Sequence, residues 1–475
     1  MSKTKQPTVA SESGLNRHLS NRHIQLIAIG GAIGTGLFMG SGKTISLSGP
    51  SILLVYTIIG FVVFFVMRAM GELLLSNLKY KSFMDFARDL LGPMAGFYMG
   101  WTYWFCWIVT GSADLIAISG YIEYLLPGMF PPWIPALFCV VLFLSLNLLT
   151  VKLFGEAEFW FAIIKIVAIV SLIIIGVLFI IYGFTTPSGT VTSLSNIWND
   201  GGFFPMGFAG FIAGFQIAAF AFVGVELVGT TAAETKDPEK TLPKAINSIP
   251  IRIILFYVGA LAVIMCVMPW RTINPNESPF IVLFSFAGIA AAFSITYFVV
   301  LTSAASSANS GIFSTSRMLY GLALTQKAPA MFKKLSKSAV PAKGLIFSCM
   351  CLIPAVIMLY FGNNNIIHSF TLVTTVATIL FIFVWSLILI SYLSYRKKRP
   401  ELHKASKYKL PGGVYACYIS LFFFLLLIIT LWFQPDTKQA LIATPIWFII
   451  LGIGYYLIPK STKDKWKNES LNAKN

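Results

Sequence analysis

Charge is what this chain has least of. Only 11% of its 475 residues are Asp, Glu, Lys or Arg, against 57% hydrophobic. A soluble protein of that size needs far more polar surface to stay dispersed, so the composition excludes a soluble enzyme or binding module. Histidine is scarcer still: there are four, two of them (His18 and His23) in the N-terminal segment, and none stands at metal-ligand spacing. The six cysteines, Cys106, Cys139, Cys266, Cys349, Cys351 and Cys417, lie in or beside apolar stretches and form no Cys-x-x-Cys pair. They read as small core residues, and no metal, redox or cofactor chemistry follows from them. No Ser-His-Asp set, His-x-x-x-His pair or carboxylate pair stands out, which leaves an enzyme without its working groups. The first 23 residues are polar and lack the apolar core of a signal peptide, so they are expected to stay as an uncleaved cytoplasmic tail.

What the chain has in abundance is long apolar runs. A membrane span needs about 20 such residues. Spans are predicted at 24–47, 50–76, 94–126, 132–151, 156–182, 206–230, 250–269, 280–306, 344–361, 366–392, 414–433 and 440–459. The net charge of +17 could suggest a nucleic-acid partner, but the basic residues fall in alternate loops, as orientation in a membrane requires and a phosphate groove does not. Lys79, Lys81, Arg88, Lys152, Lys236, Lys240, Lys244, Arg317, Lys333, Lys334, Lys337 and Arg396 to Arg399 fall on one side, with the lysines of the 460–475 tail. Lys43, Arg271 and Lys438 fall on the other. The asymmetry predicts a multi-pass protein of the plasma membrane with both ends in the cytoplasm. Oligomeric state is not readable.

Two spans carry backbone that an ordinary membrane helix has no reason to contain. Span 1 is interrupted by Gly30-Gly31-Ala32-Ile33-Gly34-Thr35-Gly36. Span 6 passes through Gly207, Gly210 and Gly214 to Phe220-Ala221-Phe222-Val223-Gly224-Val225-Glu226, which sets a carboxylate in an apolar run. In a bilayer an unwound segment persists only where it lines a cavity or meets a ligand. Two broken helices five spans apart, the first and the sixth, fit a 5+5 inverted repeat, 24–182 against 206–395, with 414–459 appended as two further helices. A break bares amides on one side and carbonyls on the other, a match for a zwitterion. An amino acid could set its carboxylate on the amides of Gly34, Thr35 and Gly36 and its ammonium on carbonyls near Ala32, Phe220 and Val223. The competing explanation for the glycines is close helix packing. The nearby GLFMGSGKT, Gly36 to Thr44, has five residues rather than four between Gly36 and Gly42 and follows no strand, so it is no phosphate-binding loop.

Ionisable groups inside spans are costly and are functional candidates. Lys165 lies about mid-bilayer, where a lysine can exchange its proton or form a lasting salt bridge to Glu226 or Asp114. Asp114 could face the cavity, hold a proton or make a bundle-interior hydrogen bond. Glu226 could couple protons or cap unwound amides. The small-residue run Thr302 to Gly311 and the aromatic run Trp101 to Trp107 read mainly as packing.

Four segments, GGAIGTGLF (30–38), EAEFWFAIIK (156–165), GTTAAETKDPEKTLP (229–243) and SAASSANSGIFSTSRML (303–319), resemble the bacterial amino-acid permeases of the amino acid–polyamine–organocation superfamily. Within it, NRHIQLIAIGGAIGTGLFMGSGKTISL, RAMGELLLSN, GWTYWFCW and TKDPEK are similar to members that carry D-serine, D-alanine and glycine and admit cycloserine. The resemblance implies an all-α membrane protein with broken helices 1 and 6, the carboxylate on Gly34, Thr35 and Gly36, and the amine on Ala32, Phe220 and Val223. It also implies proton symport through Lys165, which stands where sodium-coupled cousins bind a cation. Glu226 and Glu234 match acidic positions shared widely in the family. The expectation is a proton-coupled importer of small neutral amino acids. Alternatives are a family member for alanine, GABA or a basic amino acid, an exchanger, or an amino-acid sensor.

Overall fold

The structure is a computed structural model. It describes residues 34–80, 82–149, 151–230, 237–287, 292–336, 339–362, 365–463 and 466, with backbone alone for 149, 151–155, 157, 230, 292, 293 and 295. Among these residues the fold is all helical, apart from one isolated bridge between Thr185 and Val191. The reason is physical: in hydrocarbon a helix satisfies its own backbone.

In chain order the helices are α1 (Thr35–Phe38), α2 (Gly40–Ser48), α3 (Ile52–Ser76), α4 (Phe83–Leu91), α5 (Pro93–Leu125), α6 (Trp133–Leu149), α7 (Val151–Tyr182), α8 (Gly207–Ala218) and α9 (Leu227–Thr230). There follow α10 (Pro238–Val267), α11 (Pro279–Ser285), α12 (Ala292–Leu324), α13 (Ala342–Phe361), α14 (Ile366–Lys398), α15 (Pro400–Ala405), α16 (Gly413–Thr430) and α17 (Pro435–Leu457). Among the described residues nine helical stretches are long and apolar enough to cross a membrane, and other apolar helices accompany them.

α5 is the axis of the bundle, packed along its length between α12 and α14. In its most apolar stretch 83% of the residues are buried, against 22% for α7 and 17% for α17, which leaves the latter two facing lipid. This explains why α5 can carry Thr102, Thr110, Ser112, Asp114 and Ser119, all buried, while the outward faces of α7 and α17 are studded with exposed Ile, Leu, Val and Tyr.

Two spans differ from the sequence expectation. The apolar run 280–306 is not one helix. Pro279–Ser285 forms the short α11, and the long helix starts at Ala292 and continues to Leu324, well past the expected end. Hydropathy penalises the serines and asparagine of 303–316, but those side chains pack into the bundle rather than toward lipid: Ser303, Ser306, Asn309, Thr315 and Ser316 are all buried. The span expected at 250–269 begins earlier, at Pro238, because an amphipathic segment leads into it; a π-helical stretch, Ile253–Gly259, lies within it. Of the span expected at 24–47, only the part from Gly34 lies within the described residues.

The two faces of the bundle differ. Where α5 starts, side chains knit the helices together. Glu72 accepts from the Leu410 amide at 2.7 Å and bonds His403 Nδ1 at 2.6 Å. Arg399 holds Asp89 at 2.6 Å and Tyr80 at 3.2 Å, and Arg68 lies 3.8 Å over the ring of Tyr408. Burial, with Asp89 alongside, pushes the Tyr80 phenol above its ordinary range.

Where α5 ends, Lys43 of α2 donates to Asp436 at 2.9 Å and to Thr371 at 3.2 Å. Gly42 lies against the loop before α11, where a Cβ would stand 2.5 Å from the Glu277 carbonyl oxygen and 2.9 Å from that of Asn274. Backbone cannot step aside as a side-chain tip can. Gly42→Ala is therefore expected to destabilise the fold by about 1–3 kcal/mol, seen as a lower apparent Tm in detergent. An unchanged Tm would mean that the loop yields freely.

Candidate functional site

The site is built where α1 begins and where α8 ends. Gly34 adopts extended backbone (φ −129°, ψ −166°) and caps α1, and Leu37 is the first residue whose amide closes onto the helix, bonding the Gly34 carbonyl at 3.2 Å. The amides of Thr35 and Gly36 thus belong to the unpaired first turn, where partial positive charge gathers. After α8 the chain tightens into a 3-10 turn, Ala219–Phe222, then opens at Val223 (ψ 138°) and Gly224 (φ +99°) before α9. Only glycine takes that positive φ without strain.

The two breaks touch. A Cβ on Gly36 would stand 2.8 Å from Ala221 Cα, 2.9 Å from Ala221 N and 2.9 Å from the Phe220 ring. Between them lies a cavity of about 20 Å³ lined by Gly34, Thr35 and Gly36 from one break and Phe220, Ala221 and Val223 from the other. Trp107 and Thr110 of α5 and Ser307 of α12 close it. Its walls are peptide groups, three hydroxyl-bearing side chains and two aromatic rings.

Buried polar groups surround it. Thr35 Oγ1 donates to Asp114 Oδ1 at 2.7 Å, tying α1 to α5. Glu226 follows the second break and serves it as a cap: its Oε2 accepts from the Gly224 amide at 3.2 Å and its Oε1 from Tyr103 at 3.4 Å. Tyr257 donates to the Ala221 carbonyl at 3.0 Å, satisfying one of the carbonyls bared by the break.

Lys165, 2% exposed, donates to Ser306 Oγ at 3.2 Å. Ser306 in turn donates to Glu158 at 2.7 Å, Asn309 Nδ2 to Glu158 at 3.2 Å, and Asn147 Nδ2 to Asn309 at 2.7 Å. Lys165 also lies within electrostatic reach of both Glu158 and Asp114. A polar chain therefore runs from the lysine through α12 to α6. Ser306, on the lysine, and Ser307, on the cavity wall, are neighbours in α12.

The start of α1 and the end of α8 thus enclose a small polar cavity inside an all-helical bundle. The sequence profile of the amino acid permease family matches residues 23–468. The chain belongs to that family. It is 64% identical over 450 residues, 95% of each chain, to the D-serine/D-alanine/glycine transporter of Escherichia coli K12. It is 54% identical over 441 residues, 93% of this chain and 94% of the relative, to amino-acid permease AapA of Bacillus subtilis. Against the DL-alanine permease SerP2 of Lactococcus lactis it is 43% identical over 452 residues, 94% and 96% of the two chains. This permease is thus a multi-pass membrane transporter of amino acids and not an enzyme.

Of the residues singled out in the permease sequence, Gly34, Thr35, Gly36, Phe220 and Val223 meet at one cavity. Asp114 touches it through Thr35, and Lys165 lies behind Ser306. Glu226 lies at the second break, hydrogen-bonded to backbone. Ala32 and Glu234 lie outside the described residues. Sequence reasoning missed Trp107, Thr110, Ser307 and Glu158. Trp107 and Thr110 precede Asp114 by seven and four residues, the helical spacing of a shared face, which could have flagged them. Glu158, a carboxylate inside the predicted span 156–182 and seven residues before Lys165, could have been flagged by the same rule that flagged the lysine, whereas Ser307 had no signal beyond its small neighbours.

Proposed function

We propose that the permease imports small neutral amino acids, D-alanine, D-serine and glycine with cycloserine as an analogue, by proton symport with alternating access. The observation that carries this reading is the pair of helix breaks facing each other across a narrow cavity, amides of Thr35 and Gly36 on one side and the opened backbone at Phe220 to Val223 on the other. Opposite partial charges a few ångströms apart suit a zwitterion and nothing larger. Trp107 and Phe220 leave little room for a long side chain. The substrates for which the Escherichia coli relative is named point the same way.

Coupling has a physical rationale in Asp114. Thr35 gives its hydroxyl hydrogen to this carboxylate, so a negative Asp114 would oppose an arriving substrate carboxylate beside the same residue. A proton on Asp114 removes that opposition, and when it leaves again the hydrogen-bonded set of Lys165, Ser306 and Glu158 behind the site receives it. Substrate and proton then travel together. The polar ties where α5 starts, set against a cavity of about 420 Å³ that opens where it ends, between Met39, Tyr121 and Glu277, fit one of two alternating states, with 24–182 and 206–395 as inverted repeats that rock around the site. In this reading the tied, basic face is cytoplasmic, both termini with it, and the membrane is a bacterial plasma membrane.

The test is uptake of labelled D-alanine, glycine, lysine and GABA into proteoliposomes, with and without an inward proton gradient. D-Alanine and glycine are expected to accumulate at least fivefold above the level reached without the gradient. Accumulation of lysine alone would overturn the substrate assignment, and exchange without net gradient-driven uptake would overturn symport.

A further inference from the structure

Between α14 and α16 the chain lies across the bundle instead of turning straight back. Residues 399–412, with the short α15 among them, reach α3 and α10 on the face where α5 starts. One end of this segment is held to α4, where Arg399 meets Asp89 and Lys398 donates to the Leu90 carbonyl at 2.7 Å. α4 in turn packs on α5. The middle is held to the other side: Arg68 of α3 donates to the Lys409 carbonyl and to Asn247 Oδ1 of α10, which also accepts from Tyr408 at 3.1 Å. Glu72, one turn further along α3, accepts from the Leu410 amide at 2.7 Å and meets His403 Nδ1 at 2.6 Å. α3 and α10 are also the helices that grip the second break. Tyr56 of α3 and Tyr257 of α10 pack on the Phe222 ring, with centroids 5.6 and 5.2 Å away, and Tyr257 donates to the Ala221 carbonyl. The segment 399–412 is thus a strap that joins the helices on the deep site to the axis of the bundle.

One of its ties can gain charge. The Glu72 side chain has no exposed surface, whereas that of His403 keeps 17% of its surface open. A carboxylate accepts, so Nδ1 carries the hydrogen of this bond and Nε2 is left to take a second proton. The other titratable and charged groups gathered around Glu72 and the imidazole are Tyr392, Tyr395, Arg396 and Arg399 of α14 and Cys417 of α16. The Tyr395 ring meets the imidazole edge-on, with centroids 6.4 Å apart. Arg399 is committed to Asp89, and Arg396 lies beside Tyr392 and Gly413. On α15 itself Glu401 and Lys404 pair with each other in solvent. Among the described residues the carboxylate in contact with His403 is therefore Glu72.

We propose that His403 and Glu72 form a proton-sensing latch: a proton on the imidazole turns a neutral hydrogen bond to a buried carboxylate into an ion pair, tightens the strap and slows opening of the face where α5 starts. A path out of the deep site on that face needs α3 and α10 to part from α5, and the strap resists it. This rests on the reading that the permease alternates between two states and that the tied face is cytoplasmic. An importer of protons then slows as the compartment it fills turns acid.

The experiment uses the full chain in proteoliposomes and follows exchange of labelled for unlabelled D-alanine with the same pH on both sides, so that no gradient drives transport. His403→Gln keeps a hydrogen-bonding side chain that does not titrate, and His403→Lys keeps a positive charge throughout. Between about pH 7.5 and about pH 5.5, where a histidine gains its charge, the rate for His403→Gln divided by that for the unaltered protein should rise about 5-fold, as a charge-assisted hydrogen bond replaces a neutral one in the latter alone. His403→Lys should exchange more slowly than the unaltered protein at the higher pH and show no such rise. Effects of acid on the deep site are common to all three proteins and cancel in the ratio. Binding of D-alanine at the higher pH checks that each variant is folded. A ratio that stays flat with pH, or a lysine variant that behaves like the glutamine one, overturns the latch and leaves the transport reading standing. No exchange by the unaltered protein at any pH overturns the transport reading and the latch with it. If His403→Lys does not fold, the His403→Gln ratio decides alone.

Discussion

Lys165→Ala is expected to abolish gradient-driven accumulation, bringing the ratio of internal to external substrate down to about 1, while substrate binding persists. The lysine is buried and held by Ser306, which also serves Glu158. Removing it takes away the proton carrier proposed above and leaves Glu158 without its neighbouring positive charge. The second effect alone could disable the protein, since breaking a buried charge pair costs about 3–5 kcal/mol in soluble proteins. A double variant, Lys165→Ala with Glu158→Gln, separates the two. If the lysine only balances charge, neutralising Glu158 restores accumulation. If it carries the proton, the double variant recovers folding and substrate exchange but still does not concentrate substrate. Measurement of both uptake and counterflow in proteoliposomes checks this, and full accumulation in the single variant would remove Lys165 from the coupling role.

Gly36→Val should weaken binding of every substrate, about 5- to 150-fold, the equivalent of the 1–3 kcal/mol that overpacking costs. Even the first carbon of the new side chain meets Ala221 backbone at 2.8 and 2.9 Å, so the two breaks must part and the amides of α1 shift away from the opposing carbonyls. Because the carboxylate and ammonium are common to all amino acids, the loss should be uniform across D-alanine, D-serine and glycine. A change on the side wall, such as Thr110→Val, should instead alter their ranking. Dissociation constants for the three substrates check the pattern. Unaltered affinity would place the carboxylate elsewhere.

The legibility of this protein in its sequence followed a physical divide. Breaks in α1 and α8 could be read because glycines in an apolar run leave a local signature, and backbone that cannot pair in lipid must face a cavity. The walls of that cavity could not. Trp107 stood in an aromatic run that reads as packing, and Ser307 in a small-residue run that does the same. Each became a lining residue only because α5 and α12 cross the breaks. Lys165 was visible as a charge out of place, yet its connection to Glu158 runs through Ser306, more than 140 residues distant from either. The end of α12 was misjudged for the same reason: its buried serines look like a loop to a measure that knows only lipid and water.

Taken alone, the sequence determined that this is an all-helical membrane protein, where its chain must unwind, and which few charges enter the bilayer, because composition and backbone satisfaction are local constraints that lipid enforces. The tertiary structure decided which segments face each other, what closes the space between them, how Lys165 reaches a carboxylate, and that a second, larger cavity lies where α5 ends. Those are meetings of distant side chains, and only packing brings them about.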